Sequence, residues 1–282
     1  MADILTRVRS WSGPAGKWVT EAPVGTARYR LCLAALLARR APTALSQAHL
    51  MTAALIAPAR DRVPWLRDRW RTVRLFEAPH QVTWTVGPAT DFDVLGEVLV
   101  HGEYDNLGLD SPGVILDIGS HIGASILRLH TKYPGAQIYG FEPDPATFSR
   151  LVRNVAQLQR VTVLPWAIGG ANGQTAFYPR RQSWVSSVQP EHGASPVTVE
   201  CVALDTAIER LGVTQIDLVK IDVEGAEASI LARFRGLAAV VLIVGELHGE
   251  SICSEVLALL TDFAVETHGE PDHCHFRARR RT

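Results

Sequence analysis

The sequence predicts an α/β fold on a parallel sheet, and three observations predict it. Short apolar runs rich in β-branched residues recur from Val114 onward. Amphipathic stretches of helical period separate them. The first run, Val114-Ile115-Leu116-Asp117-Ile118, passes straight into Gly119-Ser120-His121-Ile122-Gly123 and then a helical stretch. Strand, glycine turn and helix open a βαβ unit, whose ligands bind at the carboxyl ends of the strands.

In chain order, residues 1–27 hold Gly13-Pro14, Gly16, Pro23 and Gly25 and read as irregular. A helix follows from about Ala27 to Arg40, with Leu31, Ala34, Ala35 and Leu37 on its buried side. Pro42 ends it, and Thr43 caps a second helix to about Ala57. A third, Pro64 to Arg71, interleaves Trp65 and Trp70 with Arg67, Arg69 and Arg71, a pattern that suits amphipathic docking better than binding of nucleic acid or a sugar chain. Alternation over 72–86 predicts a hairpin, and Asp91–Leu99 predicts a helix.

The regular part then reads strand 114–118, helix 122–133, strand 137–141, helix 144–158 and strand 161–168. Gly169-Gly170-Ala171-Asn172-Gly173 turns into an insertion with strands 174–178 and 197–203 around a polar loop, 182–187. Helix 205–211, strand 216–221, a helix opening near Glu224, strand 238–244, a helix near 253–262 and strands 263–267 and 273–278 complete it. Sequential strands joined by helices lie parallel with right-handed crossovers.

Nearly half of the 282 residues are apolar, enough for a sizeable core. Cys32, Cys201, Cys253 and Cys274 show no CxxC spacing and read as reduced thiols, which points to the cytoplasm. No signal peptide or apolar run of membrane-spanning length is evident. Residues 1–80 carry 13 Lys/Arg against 5 Asp/Glu, and the rest 15 against 24. A basic accessory segment docked on an acidic core accounts for that asymmetry without a nucleic-acid or membrane partner.

The glycine turn also bears on the ligand. A dinucleotide fingerprint aligned on Gly119 would need glycines where Asp117 and Ile122 stand, and an acid there repels a pyrophosphate. It suits a cationic, amine-bearing ligand, and S-adenosylmethionine has both a sulfonium and an α-amino group. Glu142, ending Gln137-Ile138-Tyr139-Gly140-Phe141, stands where an acid accepts both ribose hydroxyls.

Four blocks resemble the FkbM-type family of S-adenosylmethionine-dependent methyltransferases: Leu116–Gly123, Gly140–Pro143 with Asn154, Lys220-Ile221-Asp222-Val223-Glu224-Gly225-Ala226-Glu227, and Glu246-Leu247-His248. The resemblance covers roughly 90–250 and departs at His121, where the family usually has Asn. It implies a class I methyltransferase (Rossmann-like) fold, a seven-stranded sheet with the last strand antiparallel. Residues 81–282 would form that domain, and 1–80 a mainly helical accessory segment that sets acceptor choice or homodimer contacts. It further implies methyl transfer, usually to oxygen, on a glycan, glycolipid or secondary metabolite. The cofactor would lie against Asp117, Gly119, Ser120, His121, Gly123, Glu142, Pro143, Trp166, Ala167 and Asp222.

For the chemistry, His248 is the first choice of base, with Asp222 and Glu246 beside it. Asp222 could otherwise cap the helix near Glu224. Asp222, Glu224 and Glu246 make a carboxylate set of the kind that suits magnesium, although strand-end acids alone define no hard-metal site and no metal ligand is assigned. His273-Cys274-His275 mimics a metal cluster but reads as a terminal strand. N-methylation of a small molecule or peptide, or a non-catalytic cofactor-binding module, would leave nearly the same sequence. The Asn/Asp-Pro-Pro-Tyr motif of base N-methylation is absent.

Overall fold

The computed structural model describes residues 26–39, 41, 43–60, 71–77, 80–86, 89–178, 195–270 and 272–281. The Trp/Arg helix expected over Pro64–Arg71 lies outside these residues except for Arg71, as do the loop 182–187 and residues 1–25. The chain forms two compact units. One comprises Met1–Gly108, Ile122–Lys132 and Val152–Leu158; the other comprises Leu109–His121, Tyr133–Leu151 and Gln159–Thr282.

The first unit contains α1 (Ala27–Arg39), α2 (Ala44–Arg60), a hairpin of β1 (Arg71–Glu77) and β2 (His80–Val86), and α3 (Ala89–Leu95) running into a π-helical turn, Gly96–Val100. Helices α1 and α2 bury Leu33, Ala34 and Leu37 and Leu50, Ala53 and Ala54, whereas Ala35, expected inside, is exposed. Arg30 on α1 pairs with the fully buried Asp93 on α3 at 2.9 Å, which offsets the cost of burying that carboxylate. The hairpin pairs Arg71 with Val86 through to Glu77 with His80, so it straddles residue 80. Helix α4 (Ala124–Lys132) also belongs to this unit. Among the described residues no helix is long and apolar enough to cross a membrane.

The second unit holds the sheet. Its strands are β3 (Val114–Ile118), β4 (Gln137–Phe141), β5 (Val161–Leu164), β9 (Leu218–Ile221), β10 (Leu242–His248), β11 (Phe263–Glu270) and β12 (His273–Arg280), and their spatial order is β11-β12-β10-β9-β3-β4-β5. The five strands from β10 to β5 are parallel, and β12 runs antiparallel to both β10 and β11. This is the class I methyltransferase arrangement, with the last strand reversed between two neighbours. Strands β3, β9 and β10 are almost wholly buried, which explains why they read as continuous apolar runs.

A three-stranded sheet, β6 (Trp166–Gly169), β8 (Val197–Ala203) and β7 (Gly173–Phe177), stands apart in order β6-β8-β7. The single strand expected over 161–168 is therefore two strands in two sheets. Pro165 separates them, because proline has no N–H to give a ladder and the pairing stops there. The unit also holds helices α5 (Pro145–Val155), α6 (Leu204–Leu211), α7 (Glu227–Arg233) and α8 (Glu250–Leu259) and a 3-10 turn, Leu237–Ala239, with α5 extending into residues of the first unit.

Two further boundaries differ from the sequence reading, and both matter to the site. The strand expected at 238–244 starts later and continues to His248, because its far half pairs with β12 down to His248 opposite His273. The helix expected near Glu224 begins at Glu227. Glu224 and Gly225 take left-handed conformations, φ 57° and 109°, which turn the chain and delay the helix. Its N-cap is Ala226 without a side-chain cap, so Asp222 does not cap it.

Candidate active site

The glycine turn after β3 is held down from three sides. The N–H groups of Gly119 and Ser120 donate to the Phe141 carbonyl at 3.1 and 2.9 Å. Ser120 Oγ donates to the Asp117 carbonyl at 2.8 Å and accepts from Phe141 N–H at 3.0 Å, clipping β3 to β4. Lys220 Nζ, buried, donates to the Gly119 carbonyl at 2.7 Å and lies 3.4 Å from Asp117 and 3.6 Å from Asp222. Asp117 is fully buried, so its partner on β9 is this lysine. Lys220→Met should leave the Asp117 charge buried without its counter-charge, at a cost of about 3–5 kcal/mol. Denaturant unfolding measures it, and adding Asp117→Asn should restore much of the loss.

Glu142, at the end of β4, is 6% exposed. Its two oxygens accept from the N–H groups of His121, at 3.0 Å, and Asp144, at 2.8 Å. Burial pushes its carboxyl up to about 7, against the pull of those two N–H groups and Lys220. His121 occupies the left-handed region, φ 48°, which His and Asn tolerate better than most residues. That shared tolerance explains how His stands where Asn is usual, since the turn uses the backbone N–H of position 121. Burial, then Arg150 and Lys220, push its imidazole down to about 3, so the ring is neutral.

Not every expected cofactor residue joins this group. Gly123, φ 90°, closes the turn within the first unit, and Pro143 is half-buried beside Glu142. Trp166 stacks near Phe141, ring centroids 6.2 Å apart, with Arg210 over its indole. Ala167 faces the other way and packs with Phe177 and Val199 in the core of the small sheet. Strand alternation separates the two neighbours.

Asp222 borders a second group. Its N–H donates to the Ile118 carbonyl at 3.1 Å, and its Oδ1 lies 4.0 Å from His248 Nε2. His248 is surrounded by acids: Glu227 at 3.0 Å from Nδ1, and Glu224 and Glu246 at 3.5 and 3.6 Å from Nε2. Burial alone would lower its pKa. The hydrogen bonds to Glu227 and Glu246 and the charges of Asp222 and Glu224 outweigh that and push it up to about 11. Glu224 is pushed up to about 7 by burial, against the pull of His248. Glu246 is held well below the usual carboxylate range by His248 and His273 despite its burial. In the bare cluster His248 is thus an imidazolium at neutral pH, the positive charge that the four carboxylates demand.

Three members of this group had no role in the sequence reading. Glu227, fully buried, accepts from Gly225 N–H at 3.0 Å and Val223 N–H at 3.3 Å as well as facing His248. Its signal was a charge inside an otherwise apolar helix start. His273 meets Glu246 at 2.8 Å and stacks on His248, and His275 meets Glu246 at 3.3 Å. Their alternation on β12 matches that of Glu246 and His248 on β10, but only the register joins the two pairs. The carboxylate set considered for magnesium is not an all-oxygen one. Among the described residues of this unit, the donors that converge within 4.8 Å of one another are Asp222–Glu224–His248 and Glu246–His248–His273, each including imidazole nitrogen.

The chain is 34% identical over 151 residues to the 2-O-methyltransferase NoeI of Sinorhizobium fredii, covering 47% of this chain and 62% of that protein's length. It is 28% identical over 178 residues to the hexuronic acid methyltransferase AglP of Haloferax volcanii, 62% of this chain and 70% of that one. The 31-O-demethyl-FK506 methyltransferase FkbM of Streptomyces tacrolimicus is 26% identical over 201 residues, 57% and 76% respectively. The sequence model of the methyltransferase FkbM domain matches residues 117–269, more than half of the chain, which takes in the carboxyl ends of β3, β4, β9 and β10. By that match, this chain belongs to the methyltransferase FkbM domain family.

Proposed function

We propose that this protein is an S-adenosylmethionine-dependent O-methyltransferase acting on a hydroxyl of a sugar, glycolipid or secondary metabolite. The observation that carries the reading is the position of Asp222. Its backbone closes on the glycine turn, while its carboxylate faces His248. A cofactor held by the turn and an acceptor held by the cluster therefore share a border. Oxygen as the acceptor atom is supported by the names of two relatives, which specify 2-O and 31-O positions.

Methyl transfer is an in-line displacement, so positioning supplies much of the acceleration. The acceptor oxygen forms its bond to carbon as the sulfur–carbon bond breaks, and neutral S-adenosylhomocysteine leaves. The hydroxyl proton passes to a carboxylate of the set Asp222, Glu224 and Glu246, which the His248 imidazolium holds together. Glu227 acts as a positioning residue through His248 Nδ1. Glu142 would accept the ribose hydroxyls, and the turn at Gly119, Ser120 and His121 would take the methionine end. Residues 1–80 set acceptor choice or dimer contacts, and the location is cytoplasmic.

The test is incubation with S-adenosylmethionine and a panel of hydroxylated sugars, glycolipids and metabolites. One methyl group gained per S-adenosylhomocysteine formed, lost in Glu142→Ala, is the expected result. Failure to bind either form of the cofactor by calorimetry overturns it.

Cofactor affinity should also follow pH through Glu142. Its folded pKa of about 7 lies above the ordinary 4.5, so the ligand-free fold loses stability as pH rises between those values. Ribose hydroxyls donate to the ionised form, so affinity for S-adenosylhomocysteine should rise with pH toward neutrality, by up to about tenfold per unit, and level off above it. In Glu142→Gln the rise should vanish.

A further inference from the structure

We infer that Glu246, His248 and His273 form a binding site for a divalent first-row transition-metal ion. The site arises from strand register. Strands β10 and β12 pair antiparallel with Glu246 opposite His275 and His248 opposite His273, so alternation sets all four side chains on one face of the sheet. The expected terminal strand is present, and as a strand it delivers both histidines of His273-Cys274-His275 to Glu246.

The geometry fits ligation. Glu246 Oε2 lies 2.8 Å from His273 Nε2 and 3.6 Å from His248 Nε2, and the three donors all fall within 4.8 Å of one another. Ligands at adjacent positions around an ion with bonds of about 2.0–2.2 Å stand roughly 3–3.5 Å apart, so small rotamer changes suffice to close the set. The two rings stack with centroids 5.1 Å apart, and both Nε2 atoms are directed to the same carboxylate oxygen.

A supporting layer is already in place. A metal-bound imidazole almost always donates its other ring N–H to a carboxylate or carbonyl, and that bond fixes the tautomer that presents the ligating nitrogen. Here His248 Nδ1 meets Glu227 Oε1 at 3.0 Å, and Glu227 is itself anchored by the Gly225 N–H. The other oxygen of Glu246 meets His275 Nδ1 at 3.3 Å.

The donor set selects the ion. Two imidazole nitrogens and one carboxylate suit zinc, iron, cobalt or nickel, whereas magnesium and calcium take oxygen. Three protein ligands leave positions open for water or an acceptor hydroxyl, and Asp222 and Glu224 lie on the Nε2 side of His248. The use of those positions in methyl transfer rests on the function proposed above, but ion binding does not. With the ion on Nε2, His248 is a ligand, and the carboxylates remain for the hydroxyl proton.

The experiment uses the full, untagged chain, stripped with a chelator and titrated with Co2+, whose visible absorption reports coordination. One equivalent should bind with a new absorption band, and Zn2+ should displace it. His273→Ala should weaken binding by about 100-fold or more. His273 is more than half exposed, so that variant should fold. Glu227→Gln should weaken it by about 10–100-fold through His248. No band, or His273→Ala binding like the parent, overturns the site. S-adenosylhomocysteine binding, measured on the same stripped protein, separates the outcomes. Co2+ binding without methyl transfer would count against the proposed activity alone, and methyl transfer unaffected by stripping would remove the ion from catalysis.

Discussion

Gly119→Ala is expected to cost the protein its fold. At φ 83° the residue sits where an L side chain is strained, and a Cβ built there overlaps the carbonyl oxygen of Asp222. Neither atom can yield cheaply. The Asp222 N–H is tied to Ile118, and Gly119 is tied to Phe141 and Lys220. Left-handed strain and the backbone collision together cost roughly 3 kcal/mol or more, a large share of the stability of an ordinary domain. A soluble variant should melt far below the parent and bind no S-adenosylhomocysteine. Gly135→Ala makes the control. It has ordinary φ and open space around its Cβ position, and its melting temperature should hardly move. Equal melting of the two variants would mean that the turn does not approach β9 as described.

The second large effect is on turnover. His248→Gln should lower methyl transfer by about 100-fold to 10,000-fold, the range for losing a positioned acid–base or ligating group. Cofactor affinity should stay near normal, because the turn and Glu142 do not touch this ring. Gln keeps an amide N–H at the Nε2 position, a hydrogen-bond donor for the carboxylates of Glu224 and Glu246. His248→Ala should lose turnover as well and also stability, since Glu227 is fully buried. A His248→Gln enzyme with parental turnover would remove His248 from both the proton pathway and any ion-assisted one.

The sheet, the glycine turn and the cofactor class were all readable from local sequence. Those features are local, because a buried parallel strand needs a continuous apolar run, a close backbone approach needs glycine, and an acid excludes a pyrophosphate. Val114–Ile118 and Gln137–Phe141 were therefore legible to the residue. Asp117, Glu142, Asp222, Glu246 and His248 were legible as strand-end polar residues in a buried context. Tertiary structure alone decided what each of them faces. Asp117 pairs with Lys220 because β3 and β9 are neighbours in exact register, Asp117 opposite Lys220. The late helix start follows from left-handed Glu224 and Gly225, a backbone choice that no side-chain pattern announced. Glu227, His273 and His275 joined His248 only through contacts 21 or more residues apart and through the β10–β12 register. Periodicity gives each strand its two faces. Which faces meet is fixed by pairing over long separations, so the composition of the acid–imidazole cluster was a property of the folded sheet.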